Sequence, residues 1–157
     1  MNAITDDVVL TQDGYDEIVS ELKEIKDNKL PKAIDRVALA RSFGDLSENS
    51  EYHAAREDLA FMEGRIAELE LMITKAKVVK VRNGKKSSVS LGSKVTVHIG
   101  RSKHMYQIVG EWEADPNEKK ISESSPLGKA LMGKKVGEEI EVEAPAGKIK
   151  YKVAAIE

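Results

Sequence analysis

The feature that most constrains this chain is a pair of apolar seams facing each other across one short turn. Tyr52, Ala55, Leu59, Met62, Ile66, Leu69, Ile73 and Ala76 recur at alternating spacings of 3 and 4, which places them on one stripe of a long α-helix. An earlier series, Tyr15, Ile18, Leu22 and Ile25, follows the same rule and resumes with a slipped phase at Leu30, Ile34 and Val37. The turn Gly44-Asp45-Leu46-Ser47-Glu48-Asn49 lies between the two series. So short a connection predicts an antiparallel helical hairpin whose stripes bury each other. The other face of the second helix is Glu57, Asp58, Glu63, Arg65, Glu68, Glu70 and Lys75, which suits solvent. Thr11 is placed to cap the first helix, and Asp13, Asp16 and Glu17 sit where the helix dipole favours negative charge. Pro31 removes a backbone donor and crowds the preceding turn, so a kink is expected beside the phase slip. Helices of about 30 residues extend roughly 45 Å, which puts the turn at the end of a long rod.

From about Val78 the period falls to 2. Residues 95–99, 106–109, 140–142 and 149–153 read as strands rich in β-branched residues. Gly100-Arg101-Ser102-Lys103 supplies a hairpin turn. One short helix interrupts the strands, with Ser125 as its cap, Pro126 at its first position and Gly133 closing it. Residues 81–92, with Asn83-Gly84 and several serines and lysines, read as a linker. The predicted class is therefore α+β. An N-terminal antiparallel coiled coil covers 1–80 with its acidic tip near 43–50, and a small α+β domain covers 93–157.

Composition narrows the function. No apolar run approaches the roughly 18 residues of a membrane span, and the N-terminus lacks the layout of a signal peptide. The chain has no cysteine, so neither disulfides nor thiolate metal sites can form, in keeping with a reducing cytoplasm. Residues 1–80 hold seventeen acidic and eleven basic side chains, whereas 81–157 hold ten and fourteen. Neither half has the uniformly basic character of a generic nucleic-acid binder. A seam satisfied within one chain implies a monomer.

The tip carries the chemistry. Asp45 and Glu48 stand three residues apart, with Glu51 close behind. One reading is a capping box, with Asp45 capping the second helix, Glu48 reaching back, and Gly44 closing the first helix in a left-handed conformation. The other is a half-built cation site. Magnesium prefers hard oxygen ligands and is often held by one or two carboxylates plus phosphates from a substrate. In phosphodiester hydrolysis such an ion activates water and neutralises developing charge. The two readings are compatible, because a capping box also orients its acids.

Ala40-Arg41, the run Gly44-Asp45-Leu46-Ser47-Glu48-Asn49-Ser50-Glu51-Tyr52-His53-Ala54-Ala55-Arg56-Glu57, and Glu63-Gly64-Arg65-Ile66 together resemble the bacterial Gre transcript-cleavage factors, on their GreA-like side. Ile108-Val109-Gly110, Glu113-Ala114-Asp115, Ile121-Ser122, Ser125-Pro126-Leu127-Gly128 and Leu131-Met132-Gly133-Lys134 follow in the family's order. The resemblance covers essentially the whole chain.

It implies a transcription elongation factor that binds bacterial RNA polymerase and inserts its coiled coil into the secondary channel. There it stimulates the polymerase's own Mg²⁺-dependent cleavage of backtracked RNA. Asp45 and Glu48 are then the acids that help hold a Mg²⁺ shared with the polymerase, and none is expected on the free protein. Such a chain is an accessory factor rather than an enzyme, and it meets DNA only through the elongation complex. Arg41 and Arg56 match basic positions associated with the nascent RNA 3′ segment. Without the resemblance they read as ordinary exposed helix arginines. The C-terminal domain is implied to be FKBP-like and to dock on the polymerase through Ser125, Pro126, Leu127, Lys129 and Met132. With Tyr106, Trp112 and Tyr151 as its only aromatic residues, it is expected to lack prolyl isomerase activity. Phe43 departs from the polar residue the family's pattern leads one to expect beside Gly44. His53 reads either as a proton shuttle or as an exposed helix residue.

Overall fold

The structure is a computed structural model that describes residues 7–81 and 84–157; Asn83 of the predicted linker turn lies outside them. In chain order the elements are β1 (Val8–Thr11), α1 (Gln12–Glu24), a π-helical turn (Ile25–Lys29), α2 (Leu30–Ser42), α3 (Ser50–Lys75), β2 (Ala76–Val79), β3 (Lys94–Ile99), β4 (Ser102–Val109), β5 (Lys120–Ser122), α4 (Pro126–Leu131), β6 (Glu139–Ala144) and β7 (Gly147–Ile156). Short 3₁₀ turns cover Glu111–Glu113 and Pro116–Glu118. The chain is α+β and divides into two compact units, Tyr15–Lys75 and Met1–Gly14 with Ala76–Glu157.

In the helical unit the chain turns back after Ser42, and α2 packs along α3. Val37, Ala40, Tyr52 and Ala55 form one buried cluster, completed by Leu59. Ile25, Leu69 and Met72 form a second, lined by Ile18, Leu22, Met62 and Ile66. The expected kink takes the form of the π turn. There the Leu30 amide donates to the Ile25 carbonyl, five residues back, which inserts one residue into the helical repeat. Pro31 follows in the first turn of α2, where its missing N–H is tolerated. The insertion rotates everything after it, and this corrects the predicted seam. Ile34 is 49% exposed, while Ala33 is buried. In α3 the seam is as predicted from Tyr52 to Leu69, and Met72 then replaces Ile73 as the buried residue.

In the second unit, the five-stranded sheet has the order β5-β4-β3-β7-β6. All its pairs are antiparallel except β4 with β5. Central β3 buries Val95 and Val97, which pack with Ile108, Leu131, Tyr151 and Val153. The β3–β4 turn is Gly100-Arg101, as the sequence predicts, with Gly100 at φ +60°. By contacts the chain divides at Lys75–Ala76, a few residues before the expected boundary, and the first strand belongs with the second unit. β1 and β2 pair in parallel as a separate two-stranded sheet, and this ties the residues on either side of the helices into the second unit. Nor are residues 84–92 a bare linker, since Val89 and Leu91 are buried and Val89 exchanges backbone hydrogen bonds with Gly133 and Lys134.

Thr11 caps α1 as predicted, its Oγ1 accepting from the Gly14 amide at 3.1 Å. Its own amide donates to Glu113 Oε2 at 2.8 Å, and its hydroxyl donates to Glu113 Oε1. Gly14 and Gly110 permit this close packing. A Cβ on Gly14 would fall 2.1 Å from Glu113 Cδ, and one on Gly110 would fall 2.0 Å from the Val9 carbonyl oxygen.

Candidate functional site: the tip of the helical pair

α2 ends at Ser42 with Phe43 as its C-cap, and the Gly44 amide donates to the Arg41 carbonyl at 3.2 Å. Gly44 is left-handed at φ +79°, as the helix-closing reading requires, and Asp45 follows at φ +21°. The second residue extends the turn, so α3 begins only at Ser50. This corrects the capping-box reading. The cap is Asn49, whose Oδ1 accepts from the Tyr52 amide at 3.0 Å. Its Nδ2 reaches across to the Ala40 carbonyl at 2.7 Å and, at longer range, to that of Gly44 at 3.4 Å. One side chain therefore starts α3 and straps down the end of α2.

The tip acids are left free of capping duty. Asp45 is exposed and accepts one hydrogen bond, from Ser47 Oγ at 2.8 Å. Glu48 is exposed and, among the described residues, makes no hydrogen bond or ion pair. Glu51 belongs elsewhere: Arg36 Nε donates to it at 2.7 Å, and that guanidinium holds its carboxyl below the ordinary range. The described residues contain no group of three acidic, histidine or cysteine side chains able to cage a metal. Asp45 and Glu48 thus offer hard oxygen donors that fit a partial Mg²⁺ site, with the remaining ligands coming from outside the chain.

The two arginines of interest lie beside one residue, Tyr52, which is 6% exposed. The guanidinium carbon of Arg41 is 5.7 Å from the centre of its ring and that of Arg56 is 5.8 Å away. The Arg41 guanidinium beside the phenol holds its pKa below the ordinary value, with the charge of Arg56 adding to the effect. The sequence pattern gives Tyr52 a seam role alone, although its spacing of four from Arg56 marks the two as helix neighbours. His53 is exposed, with its ring tilted against Tyr52 at 5.8 Å. Phe43 is 74% exposed.

Comparison with known proteins decides the family. Residues 8–78 match the model described as "Transcription elongation factor, N-terminal", and residues 84–157 match "Transcription elongation factor, GreA/GreB, C-term". The chain belongs to the GreA/GreB family of transcription elongation factors. It is 48% identical over 151 residues to transcription elongation factor GreA of Caldanaerobacter subterraneus subsp. tengcongensis, covering 95% of this chain and 96% of that one. GreA of Clostridium acetobutylicum is also 48% identical, over 150 residues, covering 94% and 95%. Among solved structures, GreA factor homolog 1 of Thermus thermophilus is 30% identical and matches 96% of this chain and 99% of that one, with a TM-score of 0.45.

In this GreA/GreB-family chain the second group of candidate residues falls on α4 and its ends. The Ser125 hydroxyl is committed to local structure, accepting from the Gly128 amide at 3.0 Å and donating to the Ser122 carbonyl at 2.7 Å. Leu127 and Met132 are half-buried against the sheet core, while Pro126 and Lys129 are exposed. Apolar edges and an exposed cation therefore do lie together here. No helix among the described residues is long and apolar enough to cross a membrane.

Proposed function

We propose that this elongation factor binds bacterial RNA polymerase and inserts its helical pair, as a coiled-coil hairpin, into the polymerase's secondary channel. There it stimulates the polymerase's intrinsic cleavage of backtracked nascent RNA. The observation that carries this reading is the release of Asp45 and Glu48 from any capping role, because Asn49 caps α3 instead. Two exposed carboxylates with almost no internal partners are available to a cation that a second macromolecule half-coordinates. When bound there, a Mg²⁺ ion supplies activation of water and neutralisation of charge on the attacked phosphate. Asp45 and Glu48 supply oxygen donors, and Ser47 holds the Asp45 carboxylate in one orientation. Arg41 and Arg56 attract the phosphates of the displaced RNA 3′ segment, and their weakly hydrated guanidinium groups suit that task. The FKBP-like unit docks on the polymerase through the surface around Ser125–Met132, with Leu127 and Met132 as apolar contacts and Lys129 as a charged one.

The test uses stalled, backtracked elongation complexes with purified polymerase. Asp45→Asn is expected to leave melting unchanged, because Asp45 caps no helix and Asn also tolerates the left-handed region. Cleavage should nearly vanish in this variant and in Glu48→Gln. Wild-type rates from either variant would overturn carboxylate ligation. A Mg²⁺ titration that the wild-type factor failed to shift would overturn it as well.

A further inference from the structure

We propose that Tyr52 is a positioning residue that holds Arg41 and Arg56, from two different helices, as a single clamp for consecutive RNA phosphates. This rests on the functional reading above and adds to it a residue that touches neither metal nor RNA.

The four arginines of Tyr15–Lys75 are used in two different ways. Arg36 is paired with Glu51 and Asp58. Arg65 is paired with Glu21 and Glu68. Each of these is neutralised by two acids and serves to tie the helices. Arg41 and Arg56 carry no carboxylate partner among the described residues, and both lie against the same buried ring at nearly equal distance. Both guanidinium groups are exposed and without a counter-ion beside one ring, so an arriving anion is attracted there. The ring attracts each of them through its negative face without cancelling either charge. A guanidinium lying against a ring still keeps its in-plane N–H donors for bidentate contact with phosphate oxygens.

The frame that holds the ring is equally specific. Tyr52 packs with Val37, Ala40 and Ala55, so the ring cannot turn away. Its amide is held by Asn49, whose side chain also grips the Ala40 carbonyl, one residue before Arg41. The strap therefore sets Arg41 of α2 in register with Tyr52 and Arg56 of α3. An ordinary core tyrosine would need none of this alignment.

The experiment has one arm on the free protein and one on elongation complexes. In the free protein, NMR of the arginine Nε–H groups should show Arg41 and Arg56 as sharp, dispersed signals that shift on addition of a short single-stranded RNA. In Tyr52→Phe, which keeps the ring, they should persist. In Tyr52→Leu, which keeps an apolar core residue, they should broaden and lose their RNA response, while the Arg36 and Arg65 signals remain. In cleavage assays Tyr52→Leu should raise the factor concentration for half-maximal stimulation about tenfold, the scale of losing two exposed cation–π contacts. The maximal rate should hold, and Tyr52→Phe should stay within about threefold of wild type. The slope of log affinity against log salt should fall by about 1 in Tyr52→Leu. Replacing both arginines by Gln in that background should add little. Unchanged arginine signals in Tyr52→Leu, or effects of Tyr52 and the arginines that simply multiply, would overturn the clamp. If the free-protein arm holds but wild-type factor fails to stimulate cleavage, the fault lies in the functional reading and the clamp stands.

Discussion

Asn49 offers the sharpest test of how the tip is built, because its two side-chain atoms do separate jobs. The Oδ1 caps α3 by accepting from the Tyr52 amide, and the Nδ2 straps the Ala40 carbonyl at the end of α2. Replacing an N-cap Asn by Ala costs about 1 kcal/mol. Losing a half-buried neutral hydrogen bond costs about another 1 kcal/mol. The 3.4 Å contact with the Gly44 carbonyl is too long to add much. Asn49→Ala should therefore destabilise the helical unit by about 2 kcal/mol. Asn49→Asp separates the two terms. Asp caps as well as Asn, but it brings a carboxylate oxygen where the Ala40 carbonyl needs a donor, so it should still cost about 1 kcal/mol or more. With a urea dependence of about 1 kcal/mol per molar, the midpoints should fall by about 2 M and 1 M. Circular dichroism at 222 nm follows the helices. The single tryptophan, Trp112, lies in the other unit and reports that unit separately by fluorescence. If Asn49→Asp matched wild type, the strap would contribute nothing, and the register between Arg41 and Tyr52 would need another cause.

Three further outcomes follow from packing, backbone freedom and charge. Gly110→Ala should cost about 1–3 kcal/mol in urea unfolding followed by Trp112 fluorescence, because its Cβ would press on the backbone of β1. Gly64→Ala, within α3 and open on all sides, should instead stabilise by about 0.5–1 kcal/mol. The hydrogen bond from Arg65 holds the Glu21 carboxyl below the ordinary range against a smaller effect of burial. Its stabilisation is thus present above the usual Glu pKa and is lost as pH falls through the depressed value. Glu21→Gln should lower stability at pH 7 by at most about 1 kcal/mol for so exposed a pair. The difference from wild type should vanish in strong acid, as paired urea titrations at pH 7 and about pH 2 would show.

The seam of α3 was legible because each residue from Tyr52 to Leu69 repeats on one helical period. Ile34 misled because a π turn leaves no composition signature; Leu30 and Pro31 marked the place of the irregularity but not the direction of the rotation. β1, β2 and β5 escaped notice for different reasons. Val8–Thr11 and Ala76–Val79 are four-residue runs directly continuous with helices, and what makes them strands is pairing with each other, although more than sixty residues of sequence separate them. Lys120–Ser122 is too short to show alternation. At the tip, the sequence singles out the acids, the family resemblance adds the two arginines, and the capping-box reading puts the cap at Asp45. Asp and Asn cap equally well, so only the added left-handed residue, which pushes the start of α3 to Ser50, could discriminate. The sharing of Tyr52 by two arginines needed the crossing of two helices and lay beyond any single-helix pattern.

The π turn at Ile25–Lys29 works as an expansion joint in the helical pair. It supplies Ile25 to the cluster around Leu69, and its extra residue lets α2 present Val37 and Ala40 to the same helix, α3, which runs without interruption from Ser50 to Lys75. The chain before the tip can thus change phase, while the chain after it carries one unbroken stripe from the working end to the base.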